Sequence, residues 1–338
     1  MTNNQTLITI ENHIESFLVS LFTPSTPLSL LSQQSCLFFI IQIIFHNLCE
    51  NKHCTKRDLY YTAKNSPLAG LFSSQNVSNR LVDTLCDHFQ LHRHRFGLVA
   101  NDRGMIITGP DPIQLNFSNQ HRKKLSPNQI HPIHALYFSA SAPHLVSLVL
   151  PLSLRCVIVV EKESVFQQLV VRSKPSFVDK HRCALITARG YGDLATREFL
   201  HMVSTQYPSL PIGYLGDCDP HGIDIFLVYR DGVHANDHKR LYLKKHLSCP
   251  TIQWMGVFPS ELFSPLLPSK VCMSLTQQDK QKIHSLLHGN RSTNDPFVRQ
   301  QLTKMHKKAE IEALANVLFY YLSQKIVQLV QSQKKLGE

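Results

Sequence analysis

From Leu28 to Leu48 the apolar positions predict a helix. Before it, residues 1–28 read as an N-terminal arm with one helix of its own, ending at Pro24 and Pro27. The most hydrophobic part of the long helix, Cys36 to Phe45, falls well short of the roughly 20 residues of a membrane span, so it belongs to a soluble core and no membrane partner is expected. A short helix over Thr55 to Lys64 follows, with Thr55 as its cap. A third starts near Ser74, where Val77, Leu81, Leu85 and Phe89 keep helical spacing and Val82 and Cys86 widen the stripe. Phe96 to Thr108 then reads as two strands around the turn signal Asn101-Asp102-Arg103-Gly104. Three helices followed by a hairpin is the order of a winged helix, a DNA-docking fold, expected here over residues 29–109.

The pattern changes after Pro110. Residues 110–134 are polar, with four prolines in Pro110 to Pro132, and read as an interdomain linker. Ala135 to Leu152 is apolar, and its pattern assigns no structure. Beyond it, the runs ending at Val160, Thr187 and Leu215 are short apolar strands, each followed by a helical pattern. That alternation predicts an α/β domain over 135–338 with a mainly parallel sheet and right-handed crossovers. A further strand is expected at Ile252 to Val257 and a helix at Gln277 to Leu287. A last helix, Ala309 to Val330, carries the stripe Ile311, Leu314, Leu318, Leu322, Ile326 and Leu329.

Candidate chemistry sits at the strand ends. Leu210 to Leu215 leads into Gly216-Asp217-Cys218-Asp219-Pro220-His221-Gly222, two carboxylates one residue apart where open α/β sheets place their ligands. Acids without a basic neighbour there suit a divalent cation, although a lone Asp-x-Asp is more often a solvated turn. A calcium loop would need an acid twelve positions on from Asp217 and finds Val228. Arg155 to Val160 ends in a carboxylate too, and Glu161 is the expected third ligand.

In Lys56-Arg57-Asp58-Leu59-Tyr60-Tyr61, a tyrosine pair on a helix is by itself more often packing than chemistry. Arg57 lies four residues before Tyr61, on the same helix face. A fixed cation there stabilises a phenolate that a free tyrosine, with pKa near 10, scarcely forms.

The 338 residues carry a formal charge of +11 with 19 histidines, which favours an anionic partner or simply a basic surface. Arg93 and Arg95 follow the third helix among histidines and aromatics and read as phosphate contacts; Lys123 and Lys124 form a second cluster, and others fall at 239–245 and 304–308. Nine cysteines without a repeating spacing are expected to be reduced thiols, and Cys49, His53 and Cys54 lack the partners of a zinc site. The first residues show no basic segment of a signal peptide. There is no Gly-rich nucleotide loop.

Val160-Glu161-Lys162-Glu163, Arg189-Gly190-Tyr191-Gly192-Asp193, the Asp217 motif, Lys308 to Leu314 and Arg57-Asp58-Leu59-Tyr60-Tyr61 together resemble the A-type subunits of type IIB topoisomerases. The resemblance covers residues 30–330 and is greatest to the eukaryotic branch that makes meiotic double-strand breaks. It implies a CAP-like winged helix followed by a Toprim domain. It also implies Tyr61 as the nucleophile on DNA, Arg57 as the transition-state cation, Mg²⁺ on Glu161, Asp217 and Asp219, and Arg189 among the DNA contacts. A homodimer, an ATPase-like B-type subunit, meiotic accessory proteins and a nuclear location follow from the same resemblance. Gly192 stands where proline is common, Arg189 where lysine is common, and the 110–150 region is long. The other readings are a Toprim nuclease and a non-catalytic DNA-binding subunit; a covalent protein–DNA adduct separates all three.

Overall fold

The computed structural model describes residues 8, 11–12, 28–50, 52–89, 91, 93–99, 103–133, 145–172, 176–232, 247–262, 271–289, 292–314 and 317–336. Most of the expected N-terminal arm, the turn signal at Asn101 and Asp102, and the basic cluster at 239–245 lie outside them. The chain divides into two compact units, one built on residues before Asp102 and the other on residues after it.

The first unit contains α1 (Leu28–Cys49), β1 (Cys54–Thr55), α2 (Lys56–Lys64), α3 (Gln75–Phe89) and β2 (Leu98–Val99). Its core is Ile40, Ile44 and Leu48 of α1, Leu59 and Ala63 of α2, Leu81, Val82 and Leu85 of α3, and Phe72, Phe96 and Leu98. Lys56 ties α2 to α3 by an ion pair with Asp83 at 2.5 Å.

The expected hairpin does not form. β2 pairs in parallel with β1, and β3 (Met105–Thr108) runs antiparallel to β9 (Cys183–Thr187) in the large sheet of the second unit. Ile106 and Ile107 are both buried, which an exposed two-stranded wing cannot provide and an interior strand does. Gly97, at φ +67°, turns the chain into β2, and its carbonyl accepts the Cys54 N–H at 3.1 Å.

The second unit is a six-stranded sheet joined by a smaller one. Along the large sheet the order is β11 (Ile252–Gly256), β10 (Ile212–Leu215), β8 (Cys156–Val160), β9, β3 and β6 (His131–Pro132). β8 to β11 are parallel, while β3 runs antiparallel to β9 and β6 runs antiparallel to β3. Every residue of β8, β9 and β10 is buried, the pattern of parallel strands covered on both faces. The crossovers carry α4 (Glu163–Val171), α5 (Phe177–His181), α6 (Leu194–Gln206) and α7 (Pro220–Asp231).

The stretch read as a linker is folded. β4 (Ile113–Phe117) pairs with β5 (Arg122–Leu125) and β7 (Leu145–Val149) in a three-stranded antiparallel sheet. Ile113, Leu115 and Leu125 alternate with polar neighbours and, with Leu145 and Leu148, give that sheet a buried face, so polar composition here marks a half-solvated sheet. β7 lies in the apolar stretch whose pattern assigned nothing. Its free edge is closed by α6: the Gln206 side chain accepts from Leu148 N, and Tyr207 Oη donates to Leu148 O.

Toward the C-terminus come α8 (Gln277–His288), α9 (Pro296–Thr303) and α10 (Leu318–Leu336). The helix expected from Ala309 begins only at Leu318. Ala309 instead bridges Cys218, its N–H and C=O both bonded to that residue, and a single 3₁₀ turn follows at Ile311–Leu314. The apolar stripe is buried all the same, from Ile311 to Leu329. All nine cysteines are free, and no described helix is long and apolar enough to cross a membrane.

Candidate active site

Tyr61 and Arg57 belong to the first unit. Thr55 caps α2 in a capping box: its Oγ1 accepts the Asp58 N–H at 3.1 Å, and Asp58 Oδ2 accepts the Thr55 N–H at 2.9 Å. Leu59 and Ala63 face the core, which turns Arg57 and Tyr61 outward. Tyr61 is 48% exposed, and its hydroxyl oxygen accepts from Arg57 Nη2 at 3.4 Å. Tyr60, half-buried, packs on the core with its ring centroid 5.5 Å from that of Tyr61. One tyrosine is thus committed to packing, while its neighbour offers a hydroxyl to solvent beside a permanent cation. Arg93 and Arg95 lie in a 3₁₀ turn after α3, half-buried, in place of the expected wing.

The acids belong to the second unit. Glu161 follows β8 directly, and its Oε2 accepts from Tyr214 Oη at 2.8 Å and from Asp217 N at 2.9 Å. Asp217, just beyond β10, accepts the Ile311 N–H on Oδ1 at 2.8 Å and faces Lys162 Nζ at 3.2 Å with Oδ2. Asp219 is the N-cap of α7, accepting the Gly222 N–H at 2.6 Å. A Cβ on Gly222 would stand 2.4 Å from the Asp217 carbonyl oxygen, so only glycine lets α7 start this close to the acid turn.

Burial, and then the neighbouring Asp217 carboxylate, push Glu161 up to about 7. Burial also pushes Asp217 up to about 6, against the opposing pull of the Ile311 N–H and Lys162. Two buried carboxylates, that of Glu161 accepting the Asp217 backbone N–H, with a third acid on the same turn, are a hard-oxygen donor set, which fits a divalent cation. Among the described residues no three His, Cys, Asp or Glu side chains converge closely enough to hold an ion as they stand. Asp217 is engaged by the Ile311 N–H and by Lys162.

Lys162, Glu310 and Glu312 are the part of this cluster that sequence reasoning missed. Lys162 Nζ also meets Glu310 at 3.0 Å and Glu312 at 2.5 Å, and Ser164 Oγ donates to the other Glu312 oxygen at 2.8 Å. The signal was present in Glu161-Lys162 and in Glu310-Ile311-Glu312, but a helical reading of the latter hid it. Arg189, at φ +58°, forms a two-pronged ion pair with Glu163, each contact 2.9 Å. Asp193 caps α6 and also accepts the Gly104 N–H at 2.8 Å. Lys123 and Lys124 are exposed on β5, opposite Leu115 and Gln114, and so on opposite faces of the strand.

Comparison with known proteins covers both units. Residues 156–329 match the Toprim domain of the family of topoisomerase 6 A-type subunits and Spo11, and residues 33–98 match Type IIB DNA topoisomerase. The Arabidopsis thaliana protein named Meiotic recombination protein SPO11-1 is 32% identical over 292 residues, 84% of this chain and 74% of that protein. The human Meiotic recombination protein SPO11 is 28% identical, covering 86% of this chain and 68% of its own length. The A-type subunit of DNA topoisomerase 6 from Arabidopsis thaliana is 28% identical, covering 87% of this chain and 65% of its own. A Toprim sheet carrying its acids at the strand ends, preceded by a helical unit with an exposed Arg–Tyr pair, places the chain in the family of Spo11 and the topoisomerase 6 A-type subunits.

Proposed function

We propose that this protein is a topoisomerase-like DNA transesterase that makes meiotic double-strand breaks. The observation that carries this is the exposed Tyr61 hydroxyl, held beside Arg57 on a capped helix in a chain of this family. Tyr61 Oη attacks a backbone phosphorus; the P–O bond to the 3′ oxygen breaks as the bond to tyrosine forms. The products are a 5′-phosphotyrosyl link and a free 3′-hydroxyl. No water is consumed, and the phosphodiester energy is conserved. Arg57 stabilises the phenolate and the charge that develops on the phosphoryl oxygens.

Glu161, Asp217 and Asp219 would hold a divalent cation, with Mg²⁺ the expected ion. When bound, such an ion supplies charge neutralisation at the phosphate and the leaving oxygen. Arg93, Arg95, Lys123, Lys124 and Arg189 are the candidate phosphate contacts on double-stranded DNA. A homodimer supplies two tyrosines for two strands; meiotic accessory proteins and an ATPase-like B-type subunit complete the assembly in the nucleus.

The test is trapping with detergent on duplex DNA. Wild-type protein should give a covalent adduct at 5′ ends, and Tyr61→Phe should give none while binding DNA as before. Cleaved ends without an adduct would mean a nuclease, and DNA binding without cleavage a non-catalytic subunit.

A further inference from the structure

Among the described residues, Lys162 is placed unlike any other lysine. Its ammonium meets three carboxylates from two places in the chain: Asp217 beyond β10, and Glu310 and Glu312 in the segment before α10. The contacts are unequal. Asp217 is the most distant at 3.2 Å, whereas Glu312 is at 2.5 Å and is itself fixed by Ser164. The side chains grade outward as well: Asp217 is 10% exposed, Lys162 24%, Glu312 42% and Glu310 58%.

The carboxylate segment is clamped independently of the lysine. Ala309 bridges Cys218, and the Ile311 N–H bonds Asp217 Oδ1. Glu310 and Glu312 therefore keep their places whether or not Lys162 touches Asp217. An ammonium has three N–H donors and no acceptor, so it can give up its longest contact and keep the other two.

We propose that Lys162 is a resident counter-ion for the acid cluster, holding Asp217 Oδ2 in the cation-free protein and withdrawing onto Glu310 and Glu312 when that oxygen is given over to a divalent ion. This rests on the metal-binding reading above. Lys162 is a positioning residue: it keeps buried Asp217 from standing unpaired, and the Glu pair sets how readily it lets go.

The test is calorimetric titration of Mg²⁺ alone into the full chain at about pH 8, where carboxylates are ionised. Lys162→Met removes the competitor and should bind Mg²⁺ about fivefold more tightly, the worth of one partly exposed ion pair. Lys162→Arg keeps the charge and should stay within about twofold of wild type. Glu312→Gln weakens the receiving side, leaves Asp217 untouched and should lower Mg²⁺ affinity. Equal or weaker binding by Lys162→Met beside normal binding by wild type overturns this inference alone. No binding by any of the proteins overturns the metal reading as well. Should Lys162→Met fail to fold, the Glu312→Gln result decides: unchanged affinity there contradicts the proposal.

Discussion

Glu161 and Asp217 titrate well above ordinary carboxylates, and the direction sets a pH dependence. Both are held up chiefly by burial, to about 7 and about 6, so the folded protein binds protons there that the unfolded chain has already lost. Their cost to stability is absent below the unfolded pKa near 4 and grows as pH rises toward about 7. Thermal melting of metal-free protein should therefore fall across that window, and Glu161→Gln should flatten the fall by on the order of 1–3 kcal/mol. Mg²⁺ should stabilise wild type increasingly above about pH 7, because a metal needs the ionised acids. Arg57 is exposed, so Arg57→Ala should leave the melting temperature nearly unchanged while lowering adduct formation by about 10²-fold or more. The Arg57–Tyr61 pair was legible because residues four apart on a helix share a face. Lys162 with Glu312 was not, since 150 positions separate them and only the folded sheet brings them together.

Among the elements, those with an unambiguous period were legible: α1 to α3 from apolar residues three and four apart, β8 to β10 from short runs buried on both faces. The hairpin was misread because the turn chemistry at Asn101 to Gly104 is local, whereas the partners of β2 and β3 were decided by burial elsewhere. The linker was misread because prolines and charges outnumber the few alternating apolar residues that define one face of β4 and β5. Register on β5 makes a prediction of its own. Lys123 and Lys124 face opposite ways, so one DNA backbone laid on either face meets one of them. The double change Lys123→Gln with Lys124→Gln should lower the logarithmic salt slope of DNA binding by about 0.9, one phosphate contact, and not by about 1.8. At the start of α7, Gly222→Ala should destabilise the protein by about 1–3 kcal/mol, because the added methyl meets backbone. The same change should raise the Mg²⁺ concentration needed for cleavage, which a Mg²⁺ titration of adduct yield would read.

For the whole molecule, a double-strand break requires two nucleophiles, and under the proposal each chain offers one at Tyr61. Two-fold symmetry in the duplex suits a two-fold protein. If Tyr61 of one protomer works with the acids of its partner, mixing Tyr61→Phe protein with Asp217→Asn protein should restore single-strand nicks with adducts, although each alone is inactive. Silence from the mixture despite proven subunit exchange would place the tyrosine and acids of one active centre on the same chain. The formal charge of +11 supplies attraction to any polyanion, so binding alone is a weak criterion and the covalent bond a strong one. The most direct measurement is therefore to trap wild-type protein on duplex DNA with Mg²⁺, digest protein and DNA, and locate the nucleotide by mass spectrometry. The account predicts a nucleotide attached through its 5′-phosphate to Tyr61, and a free 3′-hydroxyl on the other side of the break. A nucleotide on Tyr60 or any other residue, or broken DNA with no protein attached, would contradict it.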